Sequence, residues 1–383
     1  MNIEYQTKFD LIKDLLARGN APLAEIYLRE LPRDEGINSL YRELFNTYGI
    51  SENFSLNETN YQKTERAKYL LIKAWGHGFF SEIHHLASAL LLGEILKRHC
   101  IIYWGNNCIF RNKNNGFNVF SNFYKPVGDI LEIENIQSCS FYPPKWSSSN
   151  IYCEDKNKFS GKGSRCTLQY FLGKDEDVFV VDFFTPIESL IPYIDNNSSF
   201  YGKSDDELYA YIFQKYLKPQ KDIELEVEKF YTENMKGKNW VALHIRGSDK
   251  VYETNNLFFI YEESKKFIQR IIDLNPDINI FLMTDSDQTV SSLRELYKGK
   301  ILTMESLRSQ TEIGVHLQGH DGNLIGRQVL LESLVATKCD YFVGNKESNV
   351  SLAISSMKKW EKGFVFLIGH GNVRGTNPFL FKI

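Results

Sequence analysis

A chain of 383 residues with 43% hydrophobic and 24% charged residues is globular in composition and too long for one ordinary core; two domains of about 100–200 residues each are expected. A net charge of −3 provides no field that would draw in nucleic acid, so a nucleic-acid partner is not expected. The six cysteines (Cys100, Cys108, Cys139, Cys153, Cys166, Cys339) form no CxxC pair and read as reduced, buried thiols rather than a metal or disulfide framework.

At the start of the chain, Phe9, Ile12 and Leu16, then Leu23, Tyr27 and Leu31, recur at helical spacing, punctuated by Gly19-Asn20 and Pro32. This predicts a small helical extension over residues 1–60, packed on the main body or offered through residues 1–50 to a protein partner or a second copy. The N-terminus carries no basic-then-apolar leader. The longest apolar stretch, Leu86 to Leu92, is short of the ~20 residues that a membrane span needs. The expected location is the cytoplasm, with peripheral attachment to the inner membrane as a variant.

Residues 67–200 begin as a strand–turn–helix–strand unit. Tyr69 to Ala74 is an apolar strand, Gly76-His77-Gly78 a turn, and Ile83 to Leu96 a helix; Cys100 to Trp104 is the next strand. Gly76 and Gly78 suit a loop where backbone meets a ligand, but the third glycine of a dinucleotide fingerprint is missing. His77 sits between them at the ligand edge of the sheet, either as a base or as an ordinary surface histidine. Residues 105–170 are rich in aromatic and polar residues and read as long functional loops or as hairpins. Val178 to Phe183 is another strand, and Asn196-Asn197-Ser198-Ser199 marks the expected boundary.

Residues 201–383 alternate strand and helix throughout, which predicts a second parallel sheet covered on both faces. Ser204-Asp205-Asp206-Glu207 is a capping box opening a helix that stops at Pro219. After a second helix at 222–235 comes the strand Trp240 to Ile245, which ends abruptly in Arg246-Gly247-Ser248-Asp249-Lys250. Ligands of open α/β sheets bind beyond strand carboxyl ends, and a guanidinium fork there suits a diphosphate. A helix over Tyr261 to Leu274 leads to the strand Ile278 to Met283, ending in Thr284-Asp285-Ser286-Asp287. Later come a helix over Ile325 to Ala336, a strand Cys339 to Val343, and Ser348-Asn349 before a helix at 350–359. Free amides at that helix start attract anions; Ser348 could equally be a plain N-cap.

These residues resemble the fucosyltransferase superfamily, particularly the α1,6- and nodulation-type and O-fucosyltransferase-like enzymes. His244-Ile245-Arg246-Gly247-Ser248-Asp249-Lys250 is similar to the family's His-Val-Arg-Arg-Thr-Asp-Lys strand end, and Thr284-Asp285-Ser286-Asp287 to its Thr-Asp-Asp block. Aligning the family's helix–Asp–strand–Ser-Ser block through Asp340 puts Glu332 at its nucleotide-binding aspartate and Ser348 at its phosphate-binding serine. The resemblance implies a GT-B fold, two Rossmann-like domains facing a cleft: an acceptor domain at 67–200 and a nucleotide-sugar domain at 201–383. It implies an inverting, metal-independent transfer of a sugar, usually fucose, from a GDP-sugar co-substrate to a glycan or lipid-linked acceptor in polysaccharide biosynthesis, with no cofactor. Arg246 would neutralise the leaving diphosphate with Lys250; His244, Asp285, Glu332, Ser348, Asn349, Gly76 and Gly78 would contact the donor. His77, Glu253 and Asp249 are the candidate bases. Two departures stand out: Gly247 replaces the family's second arginine, and Glu332 is longer than the usual aspartate. Two rivals remain: Asp285-Ser286-Asp287 as a metal-binding DxD of another glycosyltransferase fold, and a non-catalytic carbohydrate-binding or scaffold protein.

Overall fold

A computed structural model describes residues 3–18, 24, 27–28, 31, 36–37, 39–40, 43–44, 68–111, 118–128, 136–152, 168–247, 257–311, 314–315 and 318–369. Two parallel sheets organise it. The first holds β1 (Tyr69–Lys73), β2 (His99–Tyr103), β3 (Phe141–Tyr142) and β4 (Val178–Val181) in the order β2-β1-β4-β3. The second holds β5 (Trp240–Ile245), β6 (Asn279–Thr284), β7 (Ile301–Leu302), β8 (Tyr341–Asn345) and β9 (Val365–Ile368) in the order β7-β6-β5-β8-β9. Within its half that order is third, second, first, fourth, fifth, the Rossmann order, and its direction reverses between β5 and β8. In the first sheet the reversal falls between β1 and β4. The inner strands are buried on both faces, which is why β5, Trp-Val-Ala-Leu-His-Ile, is apolar throughout but for His244.

The helices are α1 (Ile3–Ala17), α2 (Phe79–Leu96), α3 (Asp205–Tyr216), α4 (Lys221–Asn234), α5 (Leu257–Leu274), α6 (Asp287–Leu296), α7 (Gly322–Ala336) and α8 (Asn349–Met357). The capping box at α3 is complete: the Ser204 hydroxyl accepts the Glu207 amide, and the Glu207 carboxylate accepts the Ser204 amide at 2.9 Å. α2 is 18 residues long and apolar enough to cross a membrane, but 83% of it is buried inside the protein. A helix apolar all round fits a core position, and α2 lies against β1 and β2 on one side and α3 and α8 on the other. α5 is already helical at Leu257, four residues before its expected start. α7 begins at Gly322, because Asp321 accepts the Asn323 and Leu324 amides there. β3 lay hidden in the aromatic-polar stretch, where a two-residue strand leaves no periodic signature.

The largest apolar cluster runs across both sheets, from Leu70, Ile72 and Leu90 on the first side to Ala242, Phe281 and Phe342 on the second. α2, α3 and α8 meet at its centre. There His84 of α2, fully buried and packed against the Tyr209 and Phe213 rings, is hydrogen-bonded through Nδ1 to Asn349 Oδ1 of α8 at 2.8 Å. α7 also reaches the first side. A Cβ on Gly322 would lie 2.2 Å from the Ile109 carbonyl oxygen, and one on Gly326 would lie 2.9 Å from the Phe123 ring, so two glycines one turn apart let the helix seat closely. The described residues near the N-terminus form a separate small core of Ile12, Leu15, Leu16, Ala24, Leu28, Ile37, Leu40 and Leu44.

Candidate active site

The reversal between β5 and β8 opens a cleft of about 660 Å³, measured out to open solvent. β5 supplies His244 and Arg246, and β6 supplies Met283, Thr284 and Asp285. The segment after β7 supplies Ser306 and Leu307. α7 supplies Gln328, Val329 and Glu332, and the first turn of α8 supplies Val350. Strand-end placement explains the convergence: parallel strands deliver their polar carboxyl ends to one edge, and the reversal leaves room there.

Arg246 is braced rather than loose. Its Nε lies 3.0 Å from Asp285 Oδ2, while Asp285 Oδ1 accepts the Gly247 amide at 2.8 Å. One carboxylate thus fixes both the end of β5 and the guanidinium on it, and both side chains remain partly exposed to the cleft. The glycine at 247 has a steric reason. A Cβ there would approach Ser286 Cβ to 2.9 Å and Thr289 Oγ1 to 3.3 Å, so the start of α6 occupies the space a side chain would need.

His244 is buried, and burial lowers its pKa to about 4, so the ring is neutral at pH 7. Its Nδ1 lies 2.7 Å from Ser351 Oγ, which also accepts the Asn345 amide at 2.9 Å. The arrangement that leaves no buried hydroxyl proton unpaired has Ser351 donating to Nδ1, which puts the ring proton on Nε2.

Glu332 is 8% exposed. Burial is the main reason its pKa rises to about 7; the Ser306 hydroxyl and the Arg308 charge pull it down, and Asp285 pushes it up. Ser306 Oγ donates to Glu332 Oε1 at 2.6 Å, and Arg308 Nη2 stands 3.9 Å from the same oxygen. One turn earlier on α7, Gln328 Oε1 accepts the Leu307 amide at 3.1 Å. Asp340, the acid that set the alignment, works elsewhere: its carboxylate accepts the Trp240 amide at 2.8 Å, at the opposite end of β5 from the cleft.

Ser348 is buried at the N-cap position of α8, but its side chain makes no capping bond; its amide donates to the Asn345 carbonyl and its carbonyl accepts the Leu352 amide, both at 3.1 Å. It follows β8, the neighbour of β5, two residues before the cleft-lining Val350. Asn349 turns its amide oxygen to His84.

The first-sheet candidates are not among the residues that line this cleft. The turn after β1 directs three successive amides inward to fully buried Glu82: Trp75 at 3.0 Å, Gly76 at 2.6 Å and His77 at 3.0 Å. The Gly76 and His77 amides are thus engaged within the protein, and Gly78 precedes α2. His77 is exposed and packs against Trp75, with 3.7 Å between ring centroids and the planes tilted by 34°. Trp75 in turn contacts Phe183 and Phe184, which follow β4, so the reversal of the first sheet carries an aromatic edge. Asp249, Lys250 and Glu253 lie outside the described residues. Among the described residues, no group of three or more His, Cys, Asp or Glu is placed to hold a metal ion.

Ser306, Arg308 and Gln328 escaped the sequence reading. The only available signal was position: Ser306 follows a strand, at the edge where ligands bind, but no motif marks it.

Residues 129–361 match the GDP-fucose protein O-fucosyltransferase family. No curated protein matches the chain. Among solved structures, the fucosyltransferase NodZ from Bradyrhizobium is similar over 76% of this chain and 93% of its own, at 16% identity and a TM-score of 0.51. A mutant of Arabidopsis thaliana FUT1 in complex with GDP is similar over 82% of this chain and 74% of its own, at 9% identity and a TM-score of 0.52. These likenesses show the shared GT-B architecture. With a family match over more than half its length, two Rossmann-like sheets, and a cleft where Arg246 and Glu332 both stand, the chain belongs to the GDP-fucose protein O-fucosyltransferase family and is a glycosyltransferase of the GDP-sugar class.

Proposed function

We propose that the protein transfers fucose from GDP-fucose to a hydroxyl of a glycan or lipid-linked acceptor, with inversion and without a metal, as a step of polysaccharide biosynthesis in the cytoplasm. The observation that carries this reading is the braced guanidinium of Arg246 in the same cleft as the buried acid Glu332. The two ends of a guanosine diphosphate need those two partners: N–H donors of the base seek a carboxylate, and the diphosphate seeks fixed positive charge. Transfer of the sugar leaves charge on the departing diphosphate, and a preorganised cation lowers that barrier because it has no reorganisation left to do. The Ser348 hydroxyl, which makes no capping bond, supports a phosphate contact at the start of α8.

Metal independence is supported by the state of Asp285. Both of its oxygens are engaged, one with Arg246 and one with the Gly247 amide, so it braces a cation instead of offering a free carboxylate to one. On this reading the acceptor lies against the first-sheet edge and His77 takes its proton. The exposed ring on a turn fixed by Glu82 supports that assignment.

The test is Arg246→Ala. Its turnover of GDP-fucose is expected to fall by about 10²–10³ with little change in melting temperature, since the guanidinium is partly exposed. Near-wild-type turnover in that variant would refute the role.

A further inference from the structure

The segment after β7 is pinned to α7 at two points: Leu307 N–H to Gln328 Oε1 at 3.1 Å, and Ser306 Oγ to Glu332 Oε1 at 2.6 Å. Arg308 closes the turn from behind, donating through Nη2 to the Met304 carbonyl at 2.8 Å and through Nη1 to the Ser306 carbonyl at 3.4 Å. Its Nε is buried without a partner, and its side chain is only 10% exposed. A buried guanidinium with a spare donor is costly in a surface segment unless the charge serves something nearby. Among the described residues it pairs with one acid, Glu332, 3.9 Å away.

A glutamate has one more rotatable bond than an aspartate, so the same carboxylate is less well aimed unless something else holds it. We infer that Ser306 and Arg308 are positioning residues that fix the Glu332 carboxylate for a purine carrying two adjacent N–H donors, and that the segment after β7 thereby sets nucleobase selectivity. Ser306 orients one oxygen through its hydroxyl; Arg308 supports the same oxygen by charge and holds the turn that carries Ser306. This rests on the proposal above that Glu332 receives the guanine. The low fractional exposure of both side chains adds to the argument, because an acid out of water depends on its local donors more than a solvated one does.

Guanine has both the ring N–H and the exocyclic amine; hypoxanthine keeps the first and lacks the second. GDP and inosine diphosphate have the same phosphates, so the ratio of their affinities isolates the base. Titration calorimetry on the full chain should give a preference for GDP over inosine diphosphate of roughly 10–100-fold, the worth of one hydrogen bond to a charged acceptor. Ser306→Ala and Arg308→Gln should each reduce that ratio to within about threefold, and Ser306→Thr, which keeps the hydroxyl, should restore it. Circular dichroism checks that each variant is folded. If Ser306→Ala and Arg308→Gln weaken both nucleotides by one common factor, the two residues only shape the cleft and the inference is wrong. If the wild-type protein itself does not separate the two nucleotides, the guanine assignment of Glu332 fails first and takes this inference with it.

Discussion

Donor binding should release a proton, and the amount follows from Glu332. Its pKa is raised to about 7, chiefly by burial. The two adjacent guanine N–H groups can both pair with the two carboxyl oxygens only when the group is ionised, so binding drives off whatever proton is present. At pH 7 that is about half a proton per site, at pH 6 about nine-tenths, and at pH 8.5 almost none; the affinity at pH 6 should be about tenfold weaker than at pH 8.5. GDP-fucose is the ligand to use, because both phosphates are esterified and neither titrates near neutrality. His244, lowered to about 4, stays neutral across this range and contributes nothing. Calorimetry in two buffers of different ionisation enthalpy reads the proton directly. Glu332→Gln should bind more weakly and lose the slope. A wild-type affinity that is flat from pH 6 to 8.5, or a slope that survives Glu332→Gln, would show that this acid does not meet the base. The same shift has a sign for stability. The folded pKa lies above the usual 4.5, so this group's contribution is most favourable below pH 4.5, declines as pH rises to about 7, and is level above that. At about 1.4 kcal/mol per pH unit the decline is about 3 kcal/mol, an upper bound, and Glu332→Gln should recover part of it at pH 8.

Asp285→Ala should release Arg246 and lower kcat by about 10²-fold, since a misplaced group costs about that much, with the fold retained by circular dichroism; unchanged turnover would mean the brace is ornamental. Turnover measured after exhaustive treatment with EDTA should equal the untreated rate, and abolition that added magnesium or manganese reverses would restore the DxD reading. Gly322→Ala places a Cβ 2.2 Å from the Ile109 carbonyl oxygen, so the seat of α7 must shift, at about 1–3 kcal/mol in urea unfolding; an unchanged midpoint would show that the contact yields freely.

Much of the architecture was legible because buried parallel strands and core helices leave long apolar signatures. Trp240 to Ile245 and Ile278 to Met283 announced themselves this way, the second strand lying at Asn279–Thr284, as did the Ser204–Glu207 cap. Arg246 stood out because charge follows an apolar strand abruptly, and Glu332 came only with the resemblance. Ser306 and Arg308 did not show, since their importance comes from meeting Glu332, more than twenty residues later in the chain. Glu82 was hidden for the opposite reason: it sits in an apolar helix, and nothing local says that its carboxylate reaches back to the Trp75, Gly76 and His77 amides. The reason for glycine at 247 was also invisible, because the obstruction comes from α6, across the strand ends.

The meeting of α2, α3 and α8 bears on how this enzyme could be recombined with its relatives. α3 follows the polar Asn196–Ser199 stretch where a sequence-based cut would fall, yet it packs on α2 before that stretch as well as on α8 beyond it. A chimera spliced at Asn196–Ser199 would give α3 a foreign neighbour on one side, and the His84–Asn349 bridge would lose one of its ends. Exchanging nucleotide specificity between relatives would therefore be better attempted by grafting the short run from Met304 to Ser309 together with the facing positions of α7 than by swapping whole halves.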